Sequence, residues 1–233
     1  MENKYVDFVT DEHFLKCVKY VCDAYPETKS QIDMKRLKRN GLDVFKMIFD
    51  IVNGNFDTKT WISNEVIRQN DKTITNRIGE FHQKLLGGVD GWEDLERGHQ
   101  LGVDLKKNDN SIFIELKNKH NTVKGEDHKS VFDKLEKVIK KYPKAIAYYA
   151  YIIPKKPSNG ERIWVMKHRV SDPRIKELWG SKVYEIVSGD KKNLKRTWDA
   201  IPKAINDLTK QDYRFNADGQ QRLLALFVDV FGN

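Results

Sequence analysis

The chain has 233 residues and a formal charge of +8, with 42 Lys and Arg against 34 Asp and Glu. That length supports a full hydrophobic core without cross-links, and Cys17 and Cys22, five apart, match neither a zinc site nor a redox pair. No apolar run approaches the roughly 20 residues of a membrane span, and the first residues lack a signal-peptide core. The expectation is therefore a protein of the reducing cytoplasm, without a membrane, whose basic balance favours a polyanionic partner.

In chain order, the N-terminal third reads as helical. Thr10-Asp-Glu-His13 offers capping residues ahead of Phe14, Val18 and Val21, which recur at helical spacing. A second apolar helix covers Asp43 to Val52 and ends near Gly54. A third is expected from Ser63-Asn64-Glu65 to Leu86, closed by Gly87-Gly88, with Ile67, Ile74, Ile78, Phe81 and Leu85 as one buried stripe. Gln69, Asn76, Glu80 and Gln83 then fall together on the opposite, polar face. His82 is expected to cover the edge of the stripe.

Two short apolar-bearing runs follow, Leu101 to Lys106 and Ser111 to Lys117, separated by the turn-forming cluster Lys107-Asn-Asp-Asn110. A hairpin centred between Asp109 and Asn110 pairs Asp104 with Glu115. Directly opposed residues share a sheet face, and Lys117, two positions on, projects from the same one. Two carboxylates and an ammonium are thereby gathered in one place. Like charges this close repel unless a cation lies between them, and oxygen ligands at this spacing suit Mg²⁺. An acid followed two residues later by Lys is common in this chain, for example at Asp57, Asp127 and Asp190. The Glu115 instance differs because it ends the strand-like run Ile112-Phe113-Ile114. A solvated hairpin with a chance cluster is the bland alternative.

Beyond the hairpin, Glu126-Asp127 opens a helix carrying Val131, Leu135, Val138 and Ile139, which stops before Pro143. Ala145 to Ile153 is an uninterrupted apolar and aromatic run, as expected of a strand covered on both faces. Arg162 to Met166 and Lys182 to Val187 read as further strands, and Asn193 to Leu208 and Gln220 to Phe231 as closing helices. The reading is a single domain over 1–233, with a helical region at 1–62, a core at 63–153, and recognition and closing elements at 154–233.

The stretch Ile78 to Asp94, then Val103-Asp104, then Glu115 to Gly125, resembles type II restriction endonucleases of the PD-(D/E)XK superfamily. More narrowly it is similar to the group that cuts palindromic GGNCC- or GGWCC-type sites. The resemblance is densest from Gln69 to Gly125 and thins toward Pro154-Lys-Lys-Pro157; Val103 stands where the superfamily's name has proline. It implies a mixed α/β (α+β) fold with a central mixed sheet flanked by helices, built as helix–strand–strand–helix–strand. It implies Mg²⁺, with Mn²⁺ able to substitute, held by Asp104, Glu115 and the Leu116 main-chain carbonyl, with Glu80 reaching it directly or through water. Lys117 would steer the attacking water and stabilise charge. Asn118, Lys119, His120, Asn121 and Lys124 become expected neighbours of the cleaved bond. Lys155, Lys156 and Arg162, in the loop after the core strand, are the expected base-reading group. The implied partners are double-stranded DNA, a second copy of the chain and a cognate DNA methyltransferase. The alternatives on the same core are a structure-specific repair or junction nuclease and a non-catalytic DNA-binding protein.

Overall fold

The computed structural model describes residues 3–25, 37, 39, 41–96, 98–123 and 125–232. Its elements in chain order are α1 (Asp11–Cys22), α2 (Val44–Gly54), α3 (Thr58–Gly87), β1 (Trp92–Asp94), β2 (Leu105–Lys107), β3 (Ile112–Lys119), α4 (Gly125–Lys141), β4 (Ile146–Ile153), β5 (Gly160–Ile163), β6 (Ile175–Trp179), α5 (Ser181–Ser188), α6 (Asn193–Thr209) and α7 (Ala217–Phe231). The chain forms two compact units, residues 1–19 with 79–233, and residues 20–78.

The larger unit holds a six-stranded mixed sheet in the order β1-β2-β3-β4-β6-β5. β1, β2 and β3 are antiparallel neighbours, β3, β4 and β6 run parallel, and β5 returns antiparallel on the far edge. The parallel pair β3–β4 needs a crossover, which α4 supplies. Phe113, Ala147 and Ile175 lie side by side on one face and pack with Val131, Phe132, Leu135, Val138 and Ile139 of α4. α5 packs against β4, β5 and β6. Five of the eight residues of β4 are buried and the other three half-buried, as suits a strand covered on both faces.

Several expectations need correction. Lys182–Val187 is the helix α5, not a strand. Its β-branched residues suggest a strand, but the buried positions Val183, Tyr184 and Val187 follow helical spacing, and Gly189 ends the helix at φ +83°. The strand is β6 instead, missed because Lys176 and Glu177 make it look polar; β5 supplies their partners, Glu161 and Arg162. β5 covers Gly160–Ile163, so only the first part of Arg162–Met166 is strand. β1 was not foreseen, and Leu101–Asp104 lies outside β2. α3 begins at Thr58, five residues before the expected start, because Asp57 accepts the Thr60 N–H at 2.7 Å and caps it. Along α3 the proposed stripe fails at its first member: Ile67 is 65% exposed, whereas Glu65 and Gln69 are buried and bonded to one another at 2.9 Å. Phe81 and Leu85 are buried as expected.

His82 is part of the packing. Its Nδ1 lies 2.8 Å from the Tyr184 hydroxyl, with the Phe81 and Tyr184 rings edge-on to it. Burial pushes its pKa down from 6.5 to about 4, so it is neutral in the fold. A depressed histidine contributes stability that is complete above its unfolded pKa and is lost as pH falls toward the folded one. Going from about pH 7.5 to about pH 5 should cost wild type about 2 kcal/mol more than His82→Gln, which still offers Tyr184 an acceptor. Urea titrations of both proteins at the two pH values measure the difference. Equal losses would show that the imidazole titrates in the fold as it does in water.

In the smaller unit, Trp61 is buried and its indole N–H donates to Asp50 at 2.9 Å. Arg77 donates to the Tyr20 carbonyl at 2.7 Å, with its guanidinium 4.9 Å from the Tyr20 ring centre.

Candidate active site

The hairpin forms in the expected register, with Leu105 opposite Ile114 and Lys106 opposite Phe113. Asn110 turns the chain at φ +58°, and Asp109 accepts the Ser111 N–H at 2.9 Å. Carried one step further, this register sets Asp104 opposite Glu115. The ladder stops one residue short of that pair: the Asp104 N–H donates to the Ile114 carbonyl at 2.9 Å. Freed from the ladder, the Asp104 carboxylate accepts the Leu116 N–H at 2.7 Å. The N–H and C=O of one strand residue point to the same edge, so the Leu116 carbonyl also faces the Asp104 side.

On that face the Lys117 ammonium is 2.7 Å from Glu115 Oε1 and 3.7 Å from Asp104 Oδ2. Glu115 is 3% exposed, and its other oxygen, Oε2, is buried with no hydrogen-bond partner. A buried, unbonded carboxylate oxygen is costly unless something positive occupies the position in front of it. Burial and the nearby Glu115 push the Asp104 carboxyl up to about 6, against the pull of Lys117. Burial lowers the Lys117 pKa, but Asp104 and Glu115 outweigh it and hold the ammonium above its ordinary range. The group is a proton-retaining cation between two crowded carboxylates.

Lys134 was not anticipated. From α4 its ammonium reaches within 3.6 Å of Glu115 Oε1. Its side-chain carbons lie against Gly102, where a Cβ would sit 3.4 Å from them and where φ is +66°. No sequence motif marks Lys134; only the crossover that lays α4 on this face brings it here.

The other expected residues divide. Asn118 Oδ1 and His120 Nδ1 are buried without hydrogen-bond partners, Asn118 on the strand that carries Glu115 and Lys117 and His120 just past its end. Lys119 and Asn121 are exposed, and Lys124 lies outside the described residues. Glu80 is half-buried on α3, next to Gly79, whose added Cβ would meet Asn118 at 3.9 Å. Among the described residues no three of His, Cys, Asp and Glu converge as a metal-holding group.

Lys155, Lys156 and Arg162 come together with His120 around a cavity of about 330 Å³ floored by Tyr149, Tyr151 and Trp179. Glu115, Tyr149 and Glu177 are neighbours across the sheet, as are Lys117, Tyr151 and Trp179, so this floor continues the face that carries the cluster. Arg162 is ion-paired to Glu177 and lies over Trp179 at 5.7 Å. Elsewhere along the chain, Arg169 is bound to Asp133, Lys195 to Asp199, and Arg196 to Asp7 and Asp190. Lys35, Arg36 and Lys38 lie outside the described residues.

Residues 6–210 match the family model described as Eco47II restriction endonuclease. A type II restriction enzyme of Staphylococcus aureus, Sau96I, is 38% identical over 218 residues, spanning 89% of this chain and 82% of the relative. The type II restriction enzyme Eco47II of Escherichia coli is 30% identical over 210 residues, spanning 86% of each.

Proposed function

The chain belongs to the Eco47II restriction endonuclease family and is a type II site-specific deoxyribonuclease, and on that footing we propose how and where it cuts. A restriction endonuclease acts on DNA and works with a divalent metal. The metal is proposed to be Mg²⁺, with Mn²⁺ able to replace it, and the target a short palindrome of the GGNCC type. The enzyme acts as a homodimer in the cytoplasm, and a cognate methyltransferase protects the same sites in its own cell.

The observation that carries this reading is the Asp104–Glu115–Lys117 cluster with its unpartnered Glu115 oxygen. The donor set fits a hard cation: two carboxylates and the Leu116 carbonyl, all oxygen, with Asp104 and Glu115 repelling each other until a cation lies between them. When bound, the ion neutralises charge on the scissile phosphate and lowers the pKa of a water. The chain's own groups do the rest. Lys117, held protonated, donates to the phosphate oxygen on which charge builds and orients the attacking water. Glu80 is proposed to act through a water. Asn118 and His120 fix the phosphates flanking the cut, while Lys119, Asn121, Lys124, Lys155, Lys156 and Arg162 contact the duplex. Arg162 is a candidate for reading guanine in the major groove, where a guanidinium meets O6 and N7. The three segments 1–62, 63–153 and 154–233 are proposed to serve one nuclease together.

Incubation with phage DNA and Mg²⁺, followed by sequencing of the ends, should yield discrete fragments whose cuts are related by two-fold symmetry within GGNCC-type sites. Nicking governed by DNA structure, or a mobility shift without cleavage, would reject the specificity proposed here.

A further inference from the structure

Val44, Phe45, Ile48, Phe49 and Val52 of α2 are 56%, 75%, 62%, 67% and 73% exposed. At 100° per residue they occupy one continuous arc of about 140°, while Ile51, just past its edge, and Met47 beyond it are half-buried. Monomers rarely leave so much contiguous apolar surface in water. The only charges within the helix, Lys46 and Asp50, are bound to each other off this arc, so the face carries no net charge. We infer that this face of α2 is where two copies of the chain meet, antiparallel about a two-fold axis near Ile48. The inference rests on the homodimer reading above and gives that dimer its surface.

Three points favour a second copy as the occupant. The five residues present on the order of 600 Å² of surface, most of the ~800 Å² per partner that a standard specific interface takes. A chain at +8 repels its own copy wherever its positive charge faces it, so the copies must meet on a neutral patch; DNA, a polyanion, has nothing to bind there. An isologous contact also has to complement itself. The spacing 44, 45, 48, 49, 52 does so, since an antiparallel copy sets Phe45 and Phe49 on either side of the opposing Ile48.

Ile48→Glu puts two carboxylates together at the axis, and Ile48→Lys puts two ammoniums there. Light scattering should report twice the 27.3 kDa chain mass for the wild-type enzyme and the single mass for either variant. An equimolar mixture should regain the double mass, because the charges then attract; misfolding would not be cured by mixing. Each monomeric variant should nick supercoiled cognate DNA, and the mixture should again cut both strands in one encounter. A wild-type dimer that survives both substitutions, or variants whose mixture stays monomeric, would overturn the α2 surface and leave the dimer standing. A wild-type enzyme bound as one chain per cognate duplex would instead overturn the dimer itself.

Discussion

Asp104→Asn and Glu115→Gln should each lower Mg²⁺-dependent cleavage by about a thousandfold or more, the equivalent of roughly 4 kcal/mol of transition-state stabilisation. Both substitutions keep the shape of the site. The amide oxygen at 104 can still accept the Leu116 N–H, so the end of the hairpin stays in place. What is lost is charge, and with it a ligand. The same loss relieves repulsion, because burial and Glu115 together push Asp104 up to about 6. Without metal both variants should therefore unfold at a temperature no lower than wild type, and cognate DNA should bind as tightly or more so. Single-turnover cleavage, thermal unfolding and gel shift on one preparation measure all three. Either variant cutting at more than a few per cent of the wild-type rate would sink the two-carboxylate site.

The reason these residues were legible in advance is local. A turn cluster with a definite centre fixes a hairpin's register, and the register decides which side chains share a face. Asp104, Glu115 and Lys117 follow from that arithmetic. Even so, the ladder ends one step early, and it is this break that lets Asp104 turn onto the Leu116 N–H. The long buried strand β4 and the helices α1 and α4 were legible for a similar reason: their apolar spacing is set by their own burial. The failures lie where a neighbour overrides the local pattern. β6 survives its charged residues because β5 pairs them, and Lys182–Val187 is helical because one stripe of it packs on the sheet. Ile67 is exposed and Gln69 buried, so the polarity of α3 is inverted over its first half. Lys134 and the aromatic floor of the cavity are 17 and more residues from Lys117 in sequence, and only the sheet order and the helix that crosses it bring them beside Glu115.

The two lysines that face Glu115 should separate cleanly by experiment. Lys117 lies 2.7 Å from Glu115 Oε1 and within 3.7 Å of Asp104, bridging both carboxylates, whereas Lys134 is ion-paired to Glu115 at 3.6 Å and acts on Asp104 from farther off, from a side chain that is 38% exposed. Solvent screens the second contact more than the first. Lys117→Ala should thus lose about a hundredfold to a thousandfold in the rate of the cleavage step, as when a donor to developing charge is removed. It should bind Mg²⁺ at least as well as wild type, because the ammonium no longer competes for Glu115. Lys117→Arg should not rescue the rate, since a planar guanidinium cannot take the place of a compact ammonium between two carboxylates. Lys134→Ala should cost no more than about tenfold, and should weaken DNA binding in a salt-dependent way if its partner in the complex is a backbone phosphate. Calorimetric metal titration beside single-turnover rates makes the comparison. Loss of metal binding in Lys117→Ala would make that lysine a structural clamp, and a larger rate loss at Lys134 would move the working cation from β3 to α4.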